Sequence, residues 1–114
     1  MKKSYIEERP WGKFEQFTNN ELSTVKIIEV HPQKRLSLQS HQHREEWWIA
    51  LDDGIVAEIE GIRRVLKKGE HVFVPMRAKH RLSSEKERVR VLEIAFGSFD
   101  ENDNTRYEDD YGRT

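Results

Sequence analysis

The chain has 114 residues, 20 basic and 21 acidic side chains, a formal net charge of -1, 35% hydrophobic residues and no cysteine. This size fits one small domain, which we expect to span residues 1–114. The balanced charge offers no general attraction to nucleic acid or to an anionic membrane, and the lack of cysteine excludes disulfides and thiolate metal ligands. No apolar run is long enough for a membrane span or a secretory signal, so we expect a cytoplasmic protein.

Short runs of β-branched and aromatic residues alternate with turn residues along the chain, and no segment keeps helical spacing. We predict strands at residues 12–17, 24–30, 35–41, 47–51, 55–60, 62–66, 71–74, 80–83 and 88–95. Many short strands without covering helices favour a sandwich or a closed barrel. The polar composition of residues 98–114 predicts a C-terminal arm on the surface.

One predicted strand has an unusual polar face. Alternation from Arg35 onward places Gln39, His41 and His43 on the same side as Arg35. A solvated strand face usually carries Lys, Glu and Thr, whereas this one has two imidazoles two residues apart. Glu46 adds an oxygen ligand three residues after His43. This combination predicts that the polar face holds a metal ion and is not simply exposed to solvent.

A second motif follows downstream. Gly69, Pro75 and His80 are separated by five and four residues, and His80 is the natural remaining ligand. The predicted metal ligands are therefore His41, His43, Glu46 and His80. Imidazole and carboxylate groups suit a divalent ion, with zinc preferred and manganese, iron, nickel or cobalt as alternatives. Whether Gln39 replaces Glu46 as a ligand stays open.

These two motifs together resemble those of the cupins. The first has one residue fewer before Glu46 than the cupin pattern, and the second has Arg77 where the loop glycine is usual and Ser84 where asparagine is usual. The resemblance implies an all-β fold, a small single-domain cupin jelly-roll β-barrel, with a divalent metal ion.

A narrower resemblance covers nearly the whole chain. Arg9-Pro10-Trp11-Gly12, His43-Arg44-x-Glu46-x-Trp48 and the tail 106–113 resemble the type II mannose-6-phosphate isomerase domain. That resemblance implies interconversion of mannose 6-phosphate and fructose 6-phosphate in polysaccharide biosynthesis. Larger bifunctional enzymes carry this domain behind a mannose-1-phosphate guanylyltransferase domain. Because 114 residues leave no room for the latter, we do not expect nucleotide-sugar synthesis.

The expected chemistry needs a base that removes a proton from one carbon and returns it to the next. Glu46 and Lys79 are the candidate catalytic residues. Residues near the predicted ligands are candidates for holding the sugar phosphate, and these are Arg35, Gln39, Arg44 and Arg81. Arginine suits phosphate oxygens because its planar guanidinium donates two parallel hydrogen bonds.

Two other classes of function compete with an isomerase. Trp47 stands where the family commonly has histidine, and with Arg77 it motivates a non-catalytic cupin module that binds a sugar or sugar phosphate. A cupin of other chemistry, such as an iron oxygenase, is the third class. The low apolar content and the cupin resemblance predict a homodimer, and the sequence lacks a zinc-finger pattern or recognition helix for nucleic acid.

Overall fold

The computed structural model describes residues 3–113, so Met1, Lys2 and Thr114 lie outside the described part. The described residues form strands and turns without a helix. The strands are β1 Tyr5–Arg9, β2 Gly12–Gln16, β3 Ser23–Val30, β4 Leu38–Ser40, β5 Arg44–Ala50, β6 Ile55–Ile59, β7 Ile62–Leu66, β8 His71–Val74, β9 His80–Ser84, β10 Val89–Gly97 and β11 Thr105–Glu108. Residues 3–113 therefore offer no helix of the length and hydrophobicity that a membrane span needs.

Two antiparallel sheets pack against each other, as the all-β prediction requires. The first sheet has the strand order β3-β10-β5-β8, and the second has the order β11-β4-β9-β6-β7. The hairpin β1–β2 stands apart from both sheets as a two-stranded unit. The two sheets enclose a single interior, because one face of each is apolar over most of its length.

The interior is apolar toward one end and polar toward the other. Val30, Leu66, Val89 and Val91 are almost fully buried at the apolar end. Alternation along β5 also directs every second residue inward, and this strand begins with charged residues. A polar site therefore replaces part of the core at the end of the interior where β5 begins.

The predicted strands agree with the structure in most of the chain, and the differences concern the site. The predicted strand 35–41 is reduced to β4, preceded by an isolated bridge between Arg35 and Ser83. Strand β5 begins at Arg44, three residues earlier than predicted. The hairpin strand β1 and the late strand β11 were not predicted, since both are short and rich in polar residues whose pairing depends on partners distant in sequence.

The residues after β10 are mostly exposed, and they also form a strand that was not predicted. Strand β11 pairs with β4 and extends the second sheet. The arm leaves β10 at Gly97, whose φ of 104° lies in the region that favours glycine. A Cβ atom there would lie 2.5 Å from the carbonyl oxygen of His43. This close approach directs the arm toward the polar end of the interior.

Candidate metal centre

Three buried side chains from different elements meet at the polar end of the interior. They are His41, just after β4, Glu46 on β5 and His80 on β9, with exposures of 4%, 1% and 3%. The two Nε2 atoms are 3.2 Å apart. The Glu46 carboxylate lies 3.7 Å from Nε2 of His41 and 3.9 Å from Nε2 of His80. Their ligand atoms all fall within 4.8 Å of one another.

Backbone carbonyl groups fix the orientation of both imidazoles. Nδ1 of His41 donates to the carbonyl oxygen of Asp103 at 2.8 Å, and Nδ1 of His80 donates to that of Ala78 at 2.9 Å. A carbonyl oxygen only accepts, so each Nδ1 carries a proton. Burial lowers the pKa of both histidines, which favours neutral rings. Each neutral ring then directs an unprotonated Nε2 toward the centre of the site.

This arrangement fits a divalent metal ion. Two nitrogens that each lie about 2.0–2.1 Å from a tetrahedral ion are about 3.4 Å apart, close to the spacing of the two Nε2 atoms. Two unprotonated nitrogens at 3.2 Å repel each other unless a positive group lies between them. The hydrogen bonds at both Nδ1 atoms are the outer contacts typical of metal-binding histidines. His41, Glu46 and His80 are therefore the residues that would hold the ion.

Two neighbours hold the Glu46 carboxylate from either side. Arg44 donates from Nε to one oxygen at 3.1 Å, and the indole of Trp48 donates to the other at 3.1 Å. Nη2 of Arg44 also lies 3.1 Å from Nε2 of His41. The guanidinium group thus occupies the same acceptors that a metal ion needs. Metal binding requires Nη2 to release the single lone pair of His41 Nε2.

The structure does not bring His43 into this group. Its side chain is exposed, whereas Arg44 takes the next inward position. The prediction assumed that strand alternation continues from His41 to His43. In the structure the chain leaves strand geometry after Ser40 and resumes it at Arg44, so alternation does not relate the two histidines.

The predicted substrate-binding residues divide into two groups. Gln39 and Arg44 line the cavity beside the three ligands, a cavity of about 190 Å³. Arg35 is exposed and donates two hydrogen bonds to Asp110, at 2.7 and 2.8 Å. Arg81 points to the opposite side of β9 from His80 and donates to Glu108 at 2.9 Å. Neither Arg35 nor Arg81 lines the cavity, because both are committed to acidic residues of the arm.

Lys79 also lies outside the cavity. Its side chain is exposed, with Nζ 4.4 Å from the ring centre of Tyr107. Its backbone N–H donates to Glu60 at 2.7 Å. Lys79 precedes the first residue of β9, His80, and lies in the loop that leads into this strand. Proximity in sequence to a ligand was therefore a poor guide to proximity in space.

Several cavity residues were not predicted from the sequence. Their common property is a polar side chain on β3, β10 or the arm, and they are Lys26, Glu93, Asn104, Arg106 and Arg113. Glu93 is 5% exposed, and burial together with the charge of Glu46 raises its pKa to about 7. A sequence signal for Glu93 exists, since it shares the inward phase of β10 with Val89 and Val91.

Trp47 and Arg77, two of the departures from the family patterns, lie outside the ligand group. Trp47 lies on the face of β5 opposite to Glu46, where its ring packs against Phe17 and Phe73 at 5.6 and 5.1 Å between ring centres. Arg77 has a φ of 65°, which explains why glycine is usual at this loop position. Its backbone N–H donates to the carbonyl oxygen of His41 at 2.8 Å.

A larger apolar groove of about 750 Å³ lies outside the metal centre. It runs between the β1–β2 hairpin and the neighbouring edges of the two sheets. Apolar side chains dominate its lining, among them Ile6, Trp47, Ile62 and Phe73. The chemistry of this groove suits an apolar partner surface rather than a phosphorylated sugar.

The two-sheet barrel and its buried histidine and glutamate side chains define the class of protein as a cupin, and solved structures confirm the fold. A cupin protein from Bacteroides fragilis matches with a TM-score of 0.60 and 19% identity, covering 67% of this chain and 66% of that chain. The capsular polysaccharide assembling protein CapF from Staphylococcus aureus matches with a TM-score of 0.69 and 15% identity, covering 93% of this chain and 34% of that chain.

Within this class, the chain belongs to the mannose-6-phosphate isomerase C-terminal family, whose model matches residues 2–109. Mannose-1-phosphate guanylyltransferase ManC from Salmonella typhimurium is 36% identical over 107 residues, which cover 92% of this chain and 22% of that protein. The alginate biosynthesis protein AlgA from Pseudomonas aeruginosa is 35% identical over 108 residues, covering 93% and 22%. The chain thus spans about a fifth of the length of these relatives.

Proposed function

We propose that this domain interconverts mannose 6-phosphate and fructose 6-phosphate with a divalent metal held by His41, Glu46 and His80. The observation that carries this proposal is the meeting of two neutral imidazoles and a carboxylate in one polar cavity. The family match and the polysaccharide-related relatives support the choice of a sugar phosphate. We place the reaction in the cytoplasm, where sugar phosphates are made and used.

The residues around the ligands suit a phosphorylated sugar. When bound, a divalent ion supplies Lewis-acid polarisation of the sugar carbonyl and the neighbouring hydroxyl. Gln39 lies opposite His80 in the strand register and lines the cavity, where its amide would hydrogen-bond a sugar hydroxyl. Lys26 and Arg106 line the same cavity from β3 and β11 and provide positive charge for the phosphate.

A coupled assay tests this proposal directly. The chelator-treated protein is reloaded with zinc, manganese, cobalt, nickel or iron, and conversion of mannose 6-phosphate is followed. We expect turnover with at least one metal, loss of turnover with chelator, and loss in His80→Ala. The exposed residue His43 provides the matched control, and His43→Ala should stay active. Absence of turnover with every metal contradicts the proposal.

A second function, binding of a sugar phosphate without catalysis, is favoured by one specific observation. The guanidinium of Arg44 already bonds to His41 and Glu46, and it neutralises the carboxylate without a metal ion. Calorimetry with mannose 6-phosphate distinguishes the two functions. Saturable binding to chelator-treated protein, without product under any metal, supports the binding module and contradicts the isomerase.

We also propose that the protein forms a homodimer through the apolar groove. Ile6 and Ile62, which line the groove, are 50% and 74% exposed, and neighbouring Val65 is 55% exposed. Exposed apolar side chains gathered around one groove are typical of contacts between copies. The hairpin and the sheet edges that border the groove also present unpaired strand edges, which a second copy would cover.

A further inference from the structure

Glu93 is a buried carboxyl group that lines the metal cavity but lies outside the ligand group. We propose that Glu93 is the catalytic residue that carries the proton between C2 and C1 of the sugar phosphate. This inference rests on the proposed isomerase function and assigns its base.

The strand register places Glu93 beside Trp48, two residues along β5 from the ligand Glu46. On β10, Ala95 lies opposite Glu46, and Glu93 lies opposite Trp48 on one side and Lys26 on the other. Nζ of Lys26 is 3.8 Å from the Glu93 carboxylate. Glu93 therefore faces the cavity from the first sheet, while Gln39 and His80 face it from the second.

The other carboxylates of the cavity are less suited to proton transfer. Among residues 3–113, those lining the cavity are Glu46, Glu93 and Glu101. Both oxygens of Glu46 already accept hydrogen bonds, from Arg44 and Trp48, and this side chain is a metal ligand in the proposed site. The Glu101 side chain is 77% exposed, so water solvates it. Glu93 alone of the three is both buried and outside the ligand group.

The burial of Glu93 raises its proton affinity above that of a carboxyl group in water. Burial and the negative charge of Glu46 raise its pKa to about 7, and the positive charges of Lys26 and Arg44 act in the opposite direction. A base is most effective when its pKa lies near the working pH. The other titratable or charged groups that share the cavity are His41, His80, Glu101, Arg106 and Arg113.

The proposed step is balanced within the sugar. The ionised Glu93 carboxylate takes the proton from C2 of the open-chain aldose, and the C–H electron pair forms the C1–C2 double bond of an enediolate. The aldehyde oxygen gains the negative charge, as the π electrons of its C=O bond move onto it. The O1 atom then receives a proton while the C2 hydroxyl gives one up, the C2–O bond becomes a carbonyl, and Glu93 returns its proton to C1. No oxidant or reductant is consumed.

Substitution of Glu93 by its isosteric amide tests this role. In metal-loaded Glu93→Gln we expect kcat for mannose 6-phosphate to fall about 10²- to 10⁴-fold, with the same metal content and the same calorimetric affinity for mannose 6-phosphate as wild type. Glu29→Gln is the matched control, because Glu29 lies opposite Arg90 of β10 on the neighbouring strand β3 and does not line the cavity. Its kcat should stay within about two-fold of wild type. If Glu93→Gln fails to fold, Glu93→Asp replaces it, and the shortened carboxylate should retain turnover at a reduced rate.

The pH profile gives an independent readout. The wild-type kcat should decline at acidic pH, since Glu93 takes up a proton there and stops acting as a base. A Glu93→Gln protein with wild-type kcat and pH profile overturns the inference while leaving the isomerase in place. A wild-type protein that fails to turn over with every metal contradicts the proposed function and this inference together.

Discussion

His41, His43 and His80 all belong to the predicted metal-binding motifs, but their environments differ. His41 and His80 are buried with Nδ1 held by a carbonyl oxygen, whereas His43 is exposed. We therefore expect His41→Ala and His80→Ala to lower metal affinity more than about 100-fold, because each removes a ligand rather than an outer contact. Elemental analysis after dialysis against a defined metal buffer measures the change.

His43→Ala is the control for these two variants and should retain the wild-type metal stoichiometry. The same variants should differ in melting temperature, since a metal at 100 times its Kd adds about 2.7 kcal/mol to the free energy of unfolding. Equal metal content in all three variants would show that these histidines do not hold the ion.

Glu93 should leave a signature in the pH dependence of stability. Between pH 4.5 and about 7 the folded protein holds the Glu93 proton that the unfolded chain has released, so this carboxyl contributes less stability as the pH rises. Glutamine does not titrate. The free energy of unfolding of Glu93→Gln relative to wild type should therefore rise across this range by about 3 kcal/mol and stay constant above it.

Urea unfolding of chelator-treated protein from pH 4.5 to 8.5 measures this difference without a contribution from metal binding. Glu101→Gln, with a side chain that is 77% exposed, controls for the Glu-to-Gln substitution itself. A difference between Glu93→Gln and wild type that does not vary with pH would mean that the fold does not raise the proton affinity of Glu93.

At the scale of residues, the sequence was most informative where a motif carried the chemistry. The placement of His41, Glu46 and His80 together agrees with the predicted motifs. His43 was misplaced because its position depends on where β4 ends and β5 begins. Glu93 was not predicted, although it is the one charged residue among the inward-facing positions of β10.

At the scale of elements, the arm holds one side of the candidate metal centre. Asp103 holds the loop between β4 and β5 with three contacts: its carbonyl oxygen accepts from His41, and its carboxylate accepts from the backbone N–H groups of Gln42 and His43 at 2.9 Å each. These hydrogen bonds lower the pKa of Asp103, which stays ionised at neutral pH. The arm thus sets the direction of one imidazole.

Asp103→Ala keeps the backbone carbonyl that accepts from His41 but loses both hydrogen bonds of the carboxylate to the loop between β4 and β5. We therefore expect metal affinity to fall by about 10-fold, the lower end of the effect of disturbing an outer contact, with the fold retained. Asp52 offers the matched control, since its carboxylate also accepts from a backbone N–H, that of Arg90 at 3.0 Å, but beyond the opposite end of β5. Asp52→Ala should bind metal as wild type does. An unchanged metal affinity in Asp103→Ala, by competition with a chelating dye, would contradict this role of the arm.

The arm also shows why elements were harder to predict than the motif. Strand β11 has the sequence TRYE, which carries no hydrophobic alternation, and it forms through pairing with β4. Its side chains then bond across the sheet, with Tyr107 2.9 Å from Ser40 and Arg81 donating to Glu108. Composition indicates the exposure of such a segment but not the partner that orders it.

At the scale of the whole molecule, the fold class was predictable because alternation and turn residues recur along the chain and the two motifs restrict the topology. The family match and the strand order confirm that prediction. The oligomeric state depends on which apolar side chains meet at the surface, and hydrophobic alternation along the sequence does not show this. The structure shows it, because it reveals the apolar groove beside the hairpin.

Light scattering at micromolar concentration should give the mass of a dimer. Ile62→Lys should convert it to a monomer, because an unpaired ammonium group would be buried in the contact. Leu22 is 86% exposed and does not line the groove, so Leu22→Lys is the matched control and should remain dimeric. A wild-type monomer would contradict the proposed assembly.

The contribution of Asp103 to the ligand group also bears on the order of events during synthesis. His41 and Asp103 are 62 residues apart, and Asp103 lies near the C-terminal end of this domain. A nascent chain that already contains both histidines and Glu46 still lacks the carbonyl group that orients His41. In the proposed metal centre, the fully oriented ligand group therefore forms only after the arm has been synthesised.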